Sequence, residues 1–153
     1  WLLTEANWKD PSRVRLKKAP KFPQYVQILN ETAFCLIPPG VVGWTGRIWE
    51  SVYAGCIPAI IAENTLFPFE DVIEYAKFTV RFDFEDIEGI EDRLSAITPE
   101  ERDELQAEAL RVRANFKWPR VDELASRGAQ HPSPIDHVVR ELKYAKARLR
   151  PGG

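Results

Sequence analysis

The most regular pattern of apolar and polar positions in the chain predicts a strand, a helix and a second strand. Phe34–Ile37 is a short apolar run that fits a buried strand, and the Pro-Pro-Gly at residues 38–40 ends it. Residues 44–54 can form a helix, which Gly55 ends. Residues 56–62 fit another buried strand. Because a helix joins the two strands, we predict that they are parallel.

Further elements are predicted on both sides of this unit. Helices are expected from Phe22, from Thr98 to about Phe116 and from Ser133, and residues 78–82 alternate as a half-buried strand does. A capping box and a proline at the first helical position mark the helix after Thr98. The predicted inner stripe of the last helix consists of Val138, Val139, Leu142 and Ala145.

The segment at residues 85–104 is rich in aspartate and glutamate, but apolar residues recur among them at helical spacing. These apolar residues are Ile87, Ile90, Leu94 and Ile97. We therefore interpret the acids as the hydrated face of a helix rather than as a metal cluster.

Composition fits one soluble domain. The chain has 153 residues, of which 44% are hydrophobic and 29% charged. A net charge of −2 does not favour a nucleic-acid partner, and no apolar run approaches the roughly 20 residues of a membrane helix.

We divide the chain into a connector (1–21), one α/β domain (22–150) and a frayed tail (151–153). The connector is basic, and either a solvated linker or a contact with an acidic ligand would explain it. The start without methionine suggests a fragment or a processed chain.

The two cysteines, Cys35 and Cys56, fall on neighbouring predicted strands. They are either buried thiols that pack as small hydrophobic groups or a disulfide across the sheet, which would need an oxidising compartment. Spacing leaves both interpretations open. With His131 and His137 far away in the sequence, the cysteines do not make a zinc site.

The candidate chemistry lies at the start of the central helix. In strand–helix–strand units a ligand binds at the carboxyl ends of the strands and faces the helix N-terminus. Arg47 and Glu50 lie one turn apart near that end. An arginine and a carboxylate at this place suit a diphosphate and a ribose.

Four separated blocks in this region also resemble a family. The blocks are F-C-L-x-P-x-G, T-x-R-x-x-E, G-C-I-P and P-F-E-D-V. In this order and spacing they resemble the exostosin-type glycosyltransferases, family 47, over roughly residues 22–116. The Pro-Pro-Gly form is similar to the plant branch of that family. The resemblance implies an α/β fold with a Rossmann-like parallel sheet and helices on both faces, as the C-terminal, donor-binding half of a GT-B fold.

The resemblance implies an inverting glycosyltransferase that uses a nucleotide sugar, UDP-linked, and a glycan or glycoprotein acceptor. It implies a second, N-terminal GT-B domain, the Golgi lumen and a single-pass membrane protein, and it calls for no cofactor. Homo- and hetero-oligomers both stay open. The alternative is a non-catalytic subunit that scaffolds an active homologue. A dinucleotide oxidoreductase is disfavoured because no G-x-G-x-x-G follows a strand.

The donor diphosphate is assigned to Arg47, Thr45 and Gly46. Arg47 would donate two parallel bonds to phosphate oxygens, and the free N–H groups of the helix start would add partial positive charge. These groups could replace a metal, and no acidic pair is placed to hold one. The alternative for Arg47 is a surface ion pair with Glu50.

The donor ribose is assigned to Glu50, since a carboxylate can accept from both hydroxyls of a diol. Gly40, Gly43 and Trp44 form the predicted loop near the donor, although the glycines could equally serve turn geometry. Glu70 either faces the cleft or caps a helical turn. Trp44, Trp49 and Tyr53 are expected to pack the helix on the sheet, although one of them could stack on a base or sugar. No general base stands out in the sequence.

Overall fold

The computed structural model describes residues 21–40, 45–62, 65–120 and 132–148. Among the predictions, the connector before Lys21, the donor-loop residues Gly43 and Trp44, His131 and the tail lie outside these ranges. The domain boundaries stay a prediction.

The described chain alternates between strands and helices. The strands are β1 (Phe34–Ile37), β2 (Ile57–Ile61) and β3 (Val80–Phe82). The α-helices are α1 (Phe22–Glu31), α2 (Arg47–Ala54), α3 (Ile90–Ser95), α4 (Pro99–Val112) and α5 (Pro134–Arg148). Short 3-10 helices occupy Tyr75–Lys77, Phe84–Gly89 and Arg113–Phe116.

The strands form one parallel sheet in the order β1-β2-β3. Leu36 of β1 lies opposite Ala59 of β2, and Ala59 lies opposite Val80 of β3. The prediction of parallel strands is confirmed. β3 is shorter than predicted. Residues 68–72 form hydrogen-bonded turns, and a 3-10 helix begins at Tyr75.

Helices cover both faces of the sheet, which confirms the predicted α/β class. On one face, Ile37 and Ile60 pack with Ile48 of α2 and with Val112 of α4. On the other face, Ile61 and its neighbours pack against α3. That second cluster consists of Ala59, Ile61, Phe82 and Ile90. All five residues of β2 are buried, as in a central parallel strand.

Helix α2 ends where predicted but begins later. Gly55 closes it in the left-handed conformation, with φ of 76°, and the N–H of Cys56 bonds to the Ser51 carbonyl at 2.9 Å. A start near residue 44 was predicted, but the helix begins at Arg47 with Gly46 as its cap. Thr45 Oγ1 lies 3.5 Å from the Arg47 nitrogen. Threonine and glycine both favour helix ends over interiors, which explains the later start.

Cys35 and Cys56 form a disulfide, with their Cα atoms 5.8 Å apart. Of the two interpretations that spacing left open, the structure therefore shows the bonded one. The bond joins β1 to the residue before β2. It closes a loop with a sequence separation of 21 residues.

Helix α5 does not pack as predicted. Of the expected inner stripe, Val139 and Leu142 are 42% and 64% exposed. Ser133, Pro134 and His137 are the buried residues instead. The helix therefore packs through its first turns, and an ion pair between Arg140 and Asp71 adds to that contact.

The helix predicted after Thr98 is confirmed, whereas the segment before it forms a 3-10 helix and the short α3 rather than one helix. The Thr98 capping box starts α4, and the helix passes into a 3-10 turn that ends at Phe116. Ile90 is buried, while most acids of residues 85–104 are exposed. Among the described helices, none combines the length and apolar character that a membrane crossing requires.

Candidate functional site

The start of α2 follows the carboxyl end of β1, where the strand–helix–strand geometry expects a ligand. Thr45 is half-buried and Gly46 is exposed. A Cβ added at Gly46 would meet no atom of the described residues within 4 Å, so these residues leave space beside the helix start. The Gly46 carbonyl already accepts from the Trp49 nitrogen at 3.0 Å. Gly40 is half-buried, just after the end of β1.

The Arg47 side chain is exposed on the first turn of α2. Its guanidinium forms no ion pair or hydrogen bond with any residue that the structure describes. The surface pair with Glu50, which spacing alone had favoured equally, is therefore not formed. Arg47 lies close enough to Tyr25 to act on its hydroxyl electrostatically.

Glu50 is held by a residue of another helix. The Tyr25 hydroxyl of α1 donates to Glu50 Oε2 at 2.5 Å. Burial is the main reason that the pKa of Tyr25 is raised to about 12, and the bond to the Glu50 carboxylate contributes in the same direction. The tyrosine therefore stays protonated, and remains a donor, through the neutral range.

The second carboxylate oxygen of Glu50 makes no hydrogen bond to the described part of the chain. A carboxylate has about four lone-pair sites, so Glu50 retains acceptor capacity beside Tyr25. Within the residues that the structure describes, the site thus presents an unpaired cation at Arg47 and a carboxylate at Glu50 that Tyr25 holds, one helical turn apart on an exposed surface.

Glu70 is engaged within its own turn. Its Oε2 accepts from the Phe67 nitrogen at 3.0 Å, and its Oε1 pairs with Arg81 of β3. The Arg81 guanidinium also lies over the Phe67 ring, 4.9 Å from its centroid. The structure thus gives Glu70 the capping contact that was one of its two interpretations, together with an ion pair that the sequence did not suggest.

The turn around Glu70 has an unusual backbone. Phe69 has φ of 64°, a left-handed conformation that is uncommon for a bulky residue. Its ring stacks on His137 of α5 at 4.7 Å, and the Tyr75 hydroxyl donates to the Pro68 carbonyl at 3.0 Å. These contacts hold the turn in place. No sequence signal marked Phe69 as strained.

The aromatic residues of α2 differ in role. Trp49 packs against Phe116, with ring centroids 4.3 Å apart, and makes an edge contact with Tyr75. Trp49 therefore supports the helix, as expected. Tyr53, expected to pack in the same way, is 41% exposed.

A separate open groove of about 680 Å³ lies beside β3 and α4. Both basic and acidic side chains line it, Arg81 and Glu104 among them. It shares no lining residue with the start of α2, so we treat it as distinct from the candidate site.

Comparison with known proteins assigns the sequence to a family. The Exostosin GT47 domain family matches residues 4–97. A probable glycosyltransferase of Arabidopsis thaliana is 31% identical over 101 residues, which cover 66% of this chain and 20% of the relative.

Two further relatives have more specific names. A probable β-1,4-xylosyltransferase of Arabidopsis thaliana is 37% identical over 130 residues, covering 84% of this chain and 31% of the relative. A probable glucuronosyltransferase of Physcomitrium patens is 37% identical over 77 residues, which cover 50% of this chain and 17% of the relative. The chain thus spans less than a third of the length of these relatives. Since the family match extends over more than half of the chain, this protein belongs to the exostosin-type glycosyltransferases of family 47.

Proposed function

We propose that this chain binds the donor in a glycosyltransferase that moves a sugar from a UDP-linked nucleotide sugar to a glycan or glycoprotein acceptor. The observation that carries the proposal is the exposed pair at the start of α2. Arg47 is unpaired within the described chain, and the Glu50 carboxylate is fixed one turn away. The names of the xylosyl- and glucuronosyltransferase relatives support the reaction class.

Arg47 would bind the diphosphate. A guanidinium donates two parallel bonds to phosphate oxygens and keeps its charge at any physiological pH. The N–H groups at the start of α2 add fixed partial positive charge, and the Thr45 hydroxyl can donate another bond. Charge builds on the leaving diphosphate as the glycosidic bond breaks, so these donors would stabilise the transition state.

Glu50 would bind the ribose. Its carboxylate can accept from both hydroxyls of the diol, and each hydrogen bond to a charged group contributes about 1.5–3 kcal/mol. Gly40, at the end of β1, would let the backbone approach the ligand closely. The inverting reaction also needs a base for the acceptor hydroxyl. We propose that this base comes from a second, N-terminal GT-B domain.

We extend the proposal to location and partners. A disulfide between Cys35 and Cys56 persists best in an oxidising compartment, which supports the Golgi lumen as the site of action, within a single-pass membrane protein. The partners would be the nucleotide sugar, the glycan acceptor and the facing domain. Oligomerisation with copies of this chain or with homologues stays open.

Isothermal titration of the 153-residue chain with UDP tests the proposal, with NAD as the comparison ligand. We expect UDP to bind in the micromolar to millimolar range, about −8 to −4 kcal/mol, and NAD to bind at least tenfold more weakly. Both ligands carry a diphosphate and ribose, so the difference between their affinities reports on the shape of the site. Absent UDP binding, or tighter binding of NAD, would contradict the proposal.

A further inference from the structure

The contact between Tyr25 and Glu50 joins two helices at the candidate site. Tyr25 lies on α1, 25 residues before Glu50, and its hydroxyl donates to Glu50 Oε2 at 2.5 Å. It is a side-chain bond between these helices, with Tyr25 half-buried and Glu50 exposed. Glu50 is therefore not a buried carboxylate that needs this bond for lack of water.

Without this bond, Glu50 would behave as an ordinary exposed glutamate. Such a side chain samples several rotamers, and fixing it costs conformational entropy. A hydrogen bond from a hydroxyl to a carboxylate is short and about twice as strong as a neutral one. Tyr25 is half-buried, so the donor itself is held while the acceptor lies on an exposed surface.

The arrangement leaves one carboxylate oxygen for a ligand. Oε2 accepts from Tyr25, while the other oxygen makes no hydrogen bond within the described residues. Arg47, on the preceding turn, is near enough to Tyr25 to lower the pKa of its hydroxyl, against the larger effects of burial and Glu50. Tyr25 thus links the two charges of the candidate site, since it donates to Glu50 and lies within electrostatic reach of Arg47.

We propose that Tyr25 is a positioning residue of the nucleotide-sugar site, which holds the Glu50 carboxylate in the orientation that accepts from the ribose diol. This inference rests on the proposed function. Tyr25 itself need not touch the ligand. Its effect should therefore appear only with ligands that carry the hydroxyls Glu50 binds.

The test is titration of the Tyr25→Phe chain with UDP and with 2′,3′-dideoxyuridine diphosphate, which lacks both ribose hydroxyls. We expect UDP binding to weaken about three- to tenfold, since a net hydrogen bond contributes about 0.5–1.5 kcal/mol and 1.4 kcal/mol is tenfold. Binding of the dideoxy ligand should change less than twofold. A purely structural role for Tyr25 would weaken both ligands equally.

Two further variants complete the experiment. Tyr53→Phe is the matched control, because that exposed hydroxyl makes no hydrogen bond to a described residue, and UDP binding should not change. Glu50→Gln should weaken UDP binding by itself. In a double-mutant cycle, Tyr25→Phe should add little once Glu50 has been changed, because its effect acts through that carboxylate.

The possible results separate the inference from the proposed function. If Glu50→Gln weakens UDP binding while Tyr25→Phe leaves it unchanged, or weakens both ligands equally, the inference is wrong and the donor site stands. Additive effects in the cycle would also overturn it. If the unchanged chain binds no UDP, both the proposed function and the inference fail. Circular dichroism melting of each variant checks that the fold is retained.

Discussion

Arg47 and Glu50 are three positions apart on one helix, the spacing at which opposite charges often pair, yet they do not. An exposed pair of this kind contributes about 0–1 kcal/mol, so little stability is lost by leaving Arg47 free. The hydroxyl of Tyr25 takes the place that the guanidinium would have had. The consequence is a cation whose hydrogen-bonding groups are available to a ligand.

The prediction for Arg47 concerns the affinity for UDP. Arg47→Ala should weaken UDP binding by at least about tenfold, because hydrogen bonds to charged groups contribute about 1.5–3 kcal/mol. Isothermal titration would measure the change. Arg102→Ala removes the same charge from α4, in the first turns of that helix, and should leave the affinity within twofold. Equal effects of the two variants would mean that Arg47 acts only through net charge.

His137 makes a second prediction possible at this scale. The residue is buried, and its Nε2 lies 3.0 Å from Asn115 Oδ1. Burial and, next, the charge of Arg140 lower the pKa of His137; nearby carboxylates oppose this without reversing it. These carboxylates are Asp136, Asp71 and Glu141.

Because the folded-state pKa lies below the usual value of about 6.5, the neutral form favours the fold. This stability is present above pH 6.5 and is lost as the pH falls through the lowered pKa. Urea unfolding at pH 7 and pH 5 should show a decrease that is smaller in His137→Gln, which cannot take up the proton. An identical pH dependence in both proteins would show that carboxylates alone determine the decrease.

At the scale of elements, the sequence predicted best where a single residue fixes the backbone. Gly55 marks the end of α2, and Thr98 marks the start of α4, since each acts on its own neighbours. The predicted start of α2 and the predicted inner face of α5 were wrong. In α5 the apolar stripe lies outside the contact, because the helix packs through His137 on Phe69, a long-range contact that local periodicity does not report.

The prediction at the scale of elements concerns Gly55, which ends α2. Alanine there must adopt φ of 76°, and its Cβ would lie 3.3 Å from Leu110 Cδ2 of α4. We expect Gly55→Ala to lower the free energy of unfolding by about 1–2 kcal/mol, measured by urea denaturation. Gly89→Ala is the control, because Gly89 has negative φ and a Cβ there meets nothing within 4 Å. Equal free energies of unfolding in Gly55→Ala and Gly89→Ala would mean that the contact between α2 and α4 adapts without cost.

For the whole molecule, the sequence indicated the candidate donor residues but not the contacts that hold them. The order of strand, helix and strand placed Arg47 and Glu50 at the end of β1, where a parallel unit binds ligands. The partners of the Glu50 and Glu70 carboxylates come from elsewhere in the chain. Tyr25 is 25 residues from Glu50, and Arg81 is 11 residues from Glu70, and only the packed fold brings them together.

We expect the 153-residue chain alone to give no sustained transfer. Its described residues offer groups for phosphate and ribose, but the candidate site holds no carboxylate or histidine in the setting of a general base. Donor binding without a positioned acceptor and base contributes little to the rate. The chain would be incubated with a panel of nucleotide sugars and glycan acceptors, and the products analysed by mass spectrometry.

Multiple turnovers would place the base within this chain, and Glu70 would then be the first residue to change, although Arg81 already pairs with it. Donor binding without transfer would leave the non-catalytic subunit to be tested. Adding the facing domain of a family member distinguishes the two cases. Recovered turnover would identify the chain as one half of an active enzyme.

The bond between Cys35 and Cys56 makes the segment from β1 to β2 a covalent ring, and Arg47 and Glu50 are both members of it. A single cut of the backbone anywhere inside the ring leaves two pieces that stay joined through sulfur. The nicked molecule would migrate as one chain on a non-reducing gel and as two after reduction. The ring thus keeps β1 and α2 attached to the rest of the protein even when the peptide between them is broken.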